Sequence, residues 1–206
     1  MDGTLLKGTT ASLQIARHLG CAAELAGLEA RFAAGEIDTR GFAAAIYALW
    51  QSLTRQAVTE VFDASPWLGG IPEVCADIRR RGERSVVITM SPDFFARNLL
   101  ELGFDAVLAS RFPALPFREP PDPAGILTPS DKVRIVDELR TSHGLPRSQC
   151  VAYGDSMSDA PLFRWLANTV AVNADHHLAG LAAASYRGDD LAGAYALGRG
   201  LLAESG

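Results

Sequence analysis

The chain has 206 residues, of which 48% are hydrophobic and 21% charged, and its formal net charge is -5. This size and composition suit one soluble α/β domain with a modest insertion, and the lack of a basic stripe argues against a nucleic-acid partner. No apolar run approaches the ~20 residues of a membrane span. The N-terminus has no signal-peptide core, and the three cysteines form no CxxC pair. We therefore expect a cytoplasmic protein without disulfides, zinc or membrane contact.

The first part of the chain, from Thr9 to Phe62, is predicted to be helical, with no strand. Thr9 or Thr10 suits the N-cap of the first helix. A last helix is expected over residues 55–62. Between them, apolar side chains recur at helical spacing, which indicates packing faces rather than ligand sites. The clearest such stripe is Phe42, Ile46, Leu49 and Leu53.

From Pro66 onward, helices and strands are predicted to alternate, which indicates a parallel, doubly wound sheet. Two alanine-rich helices are expected after the last strand. The predicted strands are Ser85–Thr89, Ala106–Ala109, Cys150–Tyr153 and Thr169–Val172. The predicted helices between them are one from Pro72 to Gly82, one over Phe95–Leu102, one capped by Ser130, and one over Asp159–Leu166.

Two features near strand ends could bind an anion, because parallel-sheet proteins place their chemistry there. Asp2-Gly3-Thr4 joins an acid to a tight turn in which the backbone can approach an anion, the alternative being an ordinary Asp-Gly turn. Thr89 ends a strand and precedes a helix, so its hydroxyl and the helix N-terminus could cradle a phosphate. The alternative is a plain helix cap, for which Ser91 is better placed than Thr89.

Two further features supply a cation and a pair of acids. Lys132 lies in the first turn of its helix, where a cation opposes the helix dipole, so it is either aimed at a phosphate or an exposed lysine. The run from Gly154 through Asp155 to Asp159 follows a strand and holds two carboxylates, the oxygen ligands that Mg²⁺ prefers. The alternative is a turn that one of the two aspartates caps.

Taken together, these features resemble the haloacid dehalogenase superfamily, in its phosphoserine-phosphatase-like branch. In that branch the first motif reads DxDGT, the second ends a strand in Ser or Thr, the third supplies a Lys, and the fourth reads GDSxxD. The resemblance covers essentially the whole chain, and the fourth motif is its most specific part. The matching residues are Asp2-Gly3-Thr4, Thr89, Lys132 and Gly154-Asp155-Ser156 with Asp159.

The resemblance implies a fold and a division of the chain. The expected fold is an α/β Rossmann-like doubly wound parallel sheet, with a small all-helical cap inserted after the first motif. Residues 1–8 and 66–206 would form the core, and residues 9–65 would form the cap.

The resemblance also implies a chemistry, the Mg²⁺-dependent hydrolysis of a phosphate monoester of a small metabolite through an aspartyl-phosphate. Asp2 matches the general acid and base, and its backbone carbonyl would also bind Mg²⁺. Asp155 matches the direct carboxylate ligand of the metal, and Asp159 matches the second acid, which supports the metal site. Thr89 and Lys132 match the groups that bind the phosphate.

The chain departs from the family pattern at its start. The nucleophilic aspartate would stand two residues before Asp2, and the first core strand would precede it. We expect both to be encoded directly upstream of Met1, and the 206-residue chain to be inactive without them. The alternative is a catalytically inactive, truncated relative that binds phosphate or a partner.

One position bears on the substrate. Phosphoserine phosphatases carry a glutamate for the substrate's amino group seven residues after the second aspartate of the first motif. That position is Thr9 in this chain, and threonine has no charge to pair with an ammonium. Phosphoserine is therefore expected to be a poor substrate, and an uncharged or hydroxylated leaving group is expected instead. The identity of the substrate and the oligomeric state stay open.

Overall fold

The structure is a computed structural model and describes residues 1–204. Helices fill the first part of the chain, and strands alternate with helices after it. The helices are α1 (Ala11–Leu19), α2 (Ala22–Ala33), α3 (Thr39–Leu49), α4 (Arg55–Ala64), α5 (Ile71–Arg80), α6 (Asp93–Ala96), α7 (Pro129–Ser142), α8 (Ala160–Trp165) and α9 (Leu191–Glu204). The strands are β1 (Val86–Pro92), β2 (Ala106–Ser110), β3 (Ala152–Gly154), β4 (Thr169–Val172) and β5 (Ala184–Tyr186).

Every pairing between these strands is parallel, which confirms the predicted α/β class. β1 pairs with β2, and in a separate sheet β4 lies between β3 and β5. Within the described residues, β1 and β3 each have one edge that no strand pairs. No helix in the described part of the chain is long and apolar enough to cross a membrane.

The chain divides into two compact units. The first unit contains residues 1–8, 67–85 and the chain from residue 128 onward, and therefore β3, β4 and β5. The second contains residues 9–66 and 86–127, and therefore α1 to α4 together with β1 and β2. The predicted cap residues all fall in the second unit, and the boundary between cap and core stays a prediction.

The helices of the second unit form where the sequence provides caps and apolar faces. The Thr10 hydroxyl accepts a hydrogen bond from the backbone N–H of Leu13 at 3.1 Å, so of the two threonines it is the cap of α1. The Thr54 hydroxyl caps α4 in the same way, by accepting a hydrogen bond from the backbone N–H of Ala57. The largest wholly buried side chains of this helical part of the chain are Trp50, Ile15, Leu25 and Leu53.

The first unit is built on β4, whose four residues are all buried. A buried strand of this kind is typical of a parallel sheet covered on both faces. Apolar residues of α8, among them Leu162 and Phe163, pack with β3 and β4 in one core cluster. This cluster holds the carboxyl end of β3 in place, where the Gly154-Asp155 motif begins.

Two predicted helices differ in the structure. The predicted Phe95–Leu102 helix is instead a short α6 followed by a 3-10 turn over Arg97–Leu100. Helix α7 is capped by Thr128 rather than by Ser130, because Thr128 and Asp131 form a reciprocal capping box.

The end of the chain was also predicted wrongly in part. Instead of two alanine-rich helices there is a single helix, α9, within the described residues, and the segment before it contains β5. Val172 of β4 pairs with Tyr186 of β5. This pairing with a buried strand outweighs the helix propensity of the alanines, which is a weak local preference.

Candidate active site

The turn after Met1 brings one hydroxyl to the carboxylate of Asp155. The Met1 carbonyl accepts hydrogen bonds from the N–H groups of Leu5 at 2.8 Å and Leu6 at 3.1 Å, which close the turn. The Thr4 hydroxyl then donates to Asp155 Oδ1 at 2.7 Å. Gly3 has a φ of +67°, and a Cβ at this position would overlap the Asp155 carboxylate. Only glycine permits both this backbone conformation and this close approach.

The loop after β3 is held by Asp159. Its Oδ2 accepts hydrogen bonds from the backbone N–H of Asp155 at 3.0 Å and of Ser156 at 3.4 Å. A Cβ on Gly154 would collide with the same carboxylate, so the glycine leaves the space that Asp159 fills. Asp159 is therefore buried beneath the loop that carries Asp155.

Lys132 reaches this loop from α7. Its Nζ donates to Asp159 Oδ1 at 2.6 Å and to Ser158 Oγ at 3.0 Å. Only 9% of the Lys132 side chain and 10% of the Asp159 side chain are exposed. Of the two alternatives for Lys132, the exposed lysine is ruled out.

Asp155 is the residue of this network with the most perturbed titration. Burial is the main cause, and it raises the pKa of Asp155 to about 6. The N-terminal amine and the hydrogen bond from Thr4 pull the pKa down, while the nearby charge of Asp159 pushes it up. A buried carboxylate with a raised pKa lacks compensating positive charge.

The donor set around Asp155 fits a small hard cation. Asp155 Oδ2 accepts no hydrogen bond from a described residue, and it lies close against the backbone of Gly3. Carboxylate oxygen, backbone carbonyl and water are the ligands that Mg²⁺ takes. Asp2, whose carbonyl is the expected second ligand, is partly buried in the same turn.

Thr89 lies in the second unit, at the point where the regular register of β1 ends. It is 4% exposed, and its hydroxyl accepts a hydrogen bond from the Ser91 N–H at 3.2 Å. The N-cap position of α6 is held by Pro92, so neither Thr89 nor Ser91 caps that helix. The alternative of a plain cap therefore does not hold for either residue.

Of the five residues singled out in the sequence, Lys132, Asp155 and Asp159 are brought together by direct hydrogen bonds. Sequence reasoning assigned no role to Thr4 or Ser158, although both belong to this network. Thr4 could have been found, because it follows directly on the matched Asp2-Gly3. Ser158 carries no such signal.

A second group of possible metal ligands follows β4, and it is exposed. Asp175, His176 and His177 hold their ligand atoms within 4.8 Å of one another. The Asp175 carboxylate accepts a hydrogen bond from the His177 backbone N–H and also contacts the His177 imidazole. The backbone N–H of Asp175 donates to the Asp155 carbonyl at 2.9 Å. Asp175 therefore anchors the backbone of Asp155 from a neighbouring loop.

Comparison with known proteins identifies sequences and structures that resemble this chain. The sequence model of the haloacid dehalogenase-like hydrolases matches residues 1–164. A phosphoserine phosphatase of Archaeoglobus fulgidus is 24% identical over 195 residues, which are 94% of this chain and 56% of that protein. The chain thus spans about half the length of that relative.

Solved structures show the same fold. A phosphoserine phosphatase in complex with its substrate has a TM-score of 0.77 at 20% identity, covering 94% of this chain and 92% of that chain. A phospho-aspartyl intermediate analogue of phosphoserine phosphatase has a TM-score of 0.72 at 20% identity, covering 94% and 93%. The expected Rossmann-like α/β fold with a helical cap is thereby confirmed.

Proposed function

Because the chain belongs to the haloacid dehalogenase-like hydrolases, we propose that it is a Mg²⁺-dependent phosphatase acting on a phosphate monoester of a small metabolite. The observation that carries the proposal is the hydrogen-bonded network of Thr4, Asp155, Asp159 and Lys132. It joins three distant stretches of the sequence around the two carboxylates of the loop after β3. A network that served stability alone would have no use for a carboxylate with a free oxygen and a raised pKa.

Asp155 is the proposed direct ligand of Mg²⁺, with the Asp2 carbonyl as a second ligand. Asp159 supports the site from below, since both of its oxygens are already committed to Lys132 and to the backbone of the Asp155 loop. Bound there, Mg²⁺ would neutralise charge that develops on the phosphoryl oxygens. The ion would also supply positive charge beside the buried carboxylate of Asp155.

Lys132 and Thr89 are the proposed phosphate binders. An ammonium has three donors, and Asp159 and Ser158 use two of those on Lys132, so one remains for a phosphoryl oxygen. The Thr89 hydroxyl accepts from the Ser91 N–H, which leaves its own proton to donate. Each residue thus has one unspent donor of the kind that a phosphate needs.

The proposed reaction passes through an aspartyl-phosphate. A nucleophilic aspartate, expected two residues before Asp2, attacks phosphorus, and the bond to the leaving oxygen breaks as Asp2 donates its proton to that oxygen. Asp2 then takes a proton from water, whose oxygen attacks the aspartyl-phosphate, releases inorganic phosphate and restores the nucleophile. The solved phospho-aspartyl analogue of a phosphoserine phosphatase, which shares this fold, supports such an intermediate.

Substitution of Asp155 by Asn tests the proposal in a chain extended to include the upstream aspartate. We expect a loss of about a hundredfold or more in Mg²⁺-dependent turnover, because a direct ligand is removed. Asp137→Asn is the matched control, since Asp137 only pairs with Arg140 on the exposed side of α7. Unchanged turnover of the Asp155 variant at saturating Mg²⁺ would refute the metal assignment.

The same assay separates the proposal from the alternative of an inactive relative. An extended chain that binds phosphate without hydrolysing any ester would favour the alternative. We also propose a cytoplasmic location, which suits the free thiols of Cys21, Cys75 and Cys150.

A further inference from the structure

The second unit contains a cleft that the proposed reaction does not use. Its volume is about 550 Å³, and none of the five proposed site residues lines it. The walls come from the start of α4, from α6 with the turn that follows it, and from the segment after β2. A cleft of this size can hold a small organic ligand.

The cleft is positively charged in a chain that is acidic overall. Arg55, Arg97 and Arg111 line it, and Asp93 is its single carboxylate. Asp93 is already committed, since it pairs with Arg97 at 2.8 Å and accepts the Phe112 N–H at 3.1 Å. The remaining positive charge has no counterpart among the residues that line the cleft.

Two of the arginines have hydrogen-bond donors that no described residue accepts. Arg55 uses its Nε on the Leu115 carbonyl at 3.1 Å, which leaves its terminal nitrogens for another partner. The Arg111 guanidinium has no hydrogen bond to a described residue, because only its backbone N–H is used, on Gly125. A guanidinium presents a planar pair of donors that matches a carboxylate in a bidentate way.

The remaining surface of the cleft is apolar. The rings of Phe94 and Phe112 meet edge to face, with centroids 5.8 Å apart at an interplanar angle of 87°. Val58 and Leu115 extend this surface. The cleft therefore offers cationic donors next to a rigid aromatic wall.

We propose that this cleft binds a small organic acid, with its carboxylate on Arg111 and Arg55 and its apolar body against Phe94 and Phe112. The inference does not rest on the proposed hydrolysis, because none of the catalytic residues takes part. The acid is a free ligand of this cleft.

Calorimetric titration of the 206-residue protein with benzoate, against its neutral analogue benzamide, tests the proposal. We expect benzoate to bind about tenfold more tightly or better, since hydrogen bonds to a charged group are the stronger ones. Added salt should weaken benzoate binding, because the arginines are exposed. Equal binding of the two compounds, or no binding of benzoate, would overturn the proposal.

Arg111→Gln is the decisive variant, since it removes a guanidinium that makes no hydrogen bond to a described residue. It should weaken benzoate binding about tenfold and leave the unfolding midpoint unchanged. Arg17→Gln, an exposed arginine on α1 outside the cleft, is the matched control and should bind as the parent does. If Arg111→Gln and Arg17→Gln bind benzoate equally, or if inorganic phosphate outcompetes benzoate at Arg111, the cleft is not a site for organic acids.

Discussion

One ion pair in each unit of the molecule shows a different environment for its cation. In the first unit Lys132 and Asp159 are both buried, and each makes further hydrogen bonds to the loop that carries Asp155. In the second unit the Asp93 side chain is 12% exposed, but that of its partner Arg97 is 65% exposed. A pair with all its hydrogen bonds made inside the protein fixes geometry, whereas a cation at the surface stays available to solvent. The first pair thus positions a loop, and the second leaves its cation at the surface.

The largest expected effect comes from completing the first unit with the segment upstream of Met1. We expect the genomic sequence there to continue in frame with a β-branched or aromatic run that ends in Asp. This run should add a strand to the sheet of the first unit, at the edge of β3 that no described strand pairs. The extended chain should be soluble and hydrolyse phosphate esters with Mg²⁺, and the 206-residue chain should hydrolyse none. An in-frame stop codon directly before Met1, or robust turnover by the 206-residue chain, would contradict this.

Loss of the cation in each pair tests the comparison directly. Lys132→Met should lower the free energy of unfolding by about 3–5 kcal/mol, because it leaves the Asp159 charge buried without a partner. Arg97→Gln should lower it by less, about 1–2 kcal/mol, because solvent reaches the place of the exposed Arg97 guanidinium although the Asp93 carboxylate itself is only 12% exposed. Urea unfolding of the two variants measures both values, and similar losses would remove the distinction between the units.

Gly3 and Gly8 show how closely the first unit is packed. Both have a positive φ, +67° and +63°, but an added Cβ meets the Asp155 carboxylate at Gly3 and nothing within 4 Å at Gly8. Gly8→Ala should cost about 1–2 kcal/mol of stability from backbone strain alone. Gly3→Ala should cost about 1–3 kcal/mol more, from overpacking. Equal losses in thermal unfolding would mean that the contact with Asp155 is unimportant.

The raised pKa of Asp155 makes the stability of the first unit depend on pH. The folded protein holds this proton up to about pH 6, while the unfolded chain releases it near pH 4. Without Mg²⁺, stability should therefore fall by about 2 kcal/mol as the pH rises from about 4 to 6, and stay low above that. Asp155→Asn should lack this contribution, as should the parent protein with bound Mg²⁺. A difference between parent and variant that does not change with pH would show that the pKa is not raised.

The sequence predicted those parts of the structure that depend on local patterns. The β4 bounds, Thr169–Val172, agree with the prediction because a short apolar β-branched run admits few other structures. The N-cap of α1 was predicted at Thr9 or Thr10 from the preference of hydroxyl side chains for this position, and it is Thr10. The strand β5 was missed because its stability comes from pairing with β4, which no local propensity records.

The candidate site was predictable as a set of residues and not as a set of contacts. The motif around Asp155 indicated the acids, yet the ion pair of Lys132 with Asp159 joins residues that are far apart in sequence. The hydrogen bond from Thr4 to Asp155 spans still more of the chain. Which acid binds the lysine and which keeps a free oxygen is decided by tertiary packing.

The clamp that Asp159 forms on the backbone of Asp155 and Ser156 also has a dynamic consequence. Amide protons held by a buried carboxylate exchange slowly with solvent, because the loop must open before they are released. The two amides should therefore be protected from exchange before any ligand is present. A loop ordered in advance loses little conformational entropy when a ligand arrives, so that less of the binding energy is spent on ordering it.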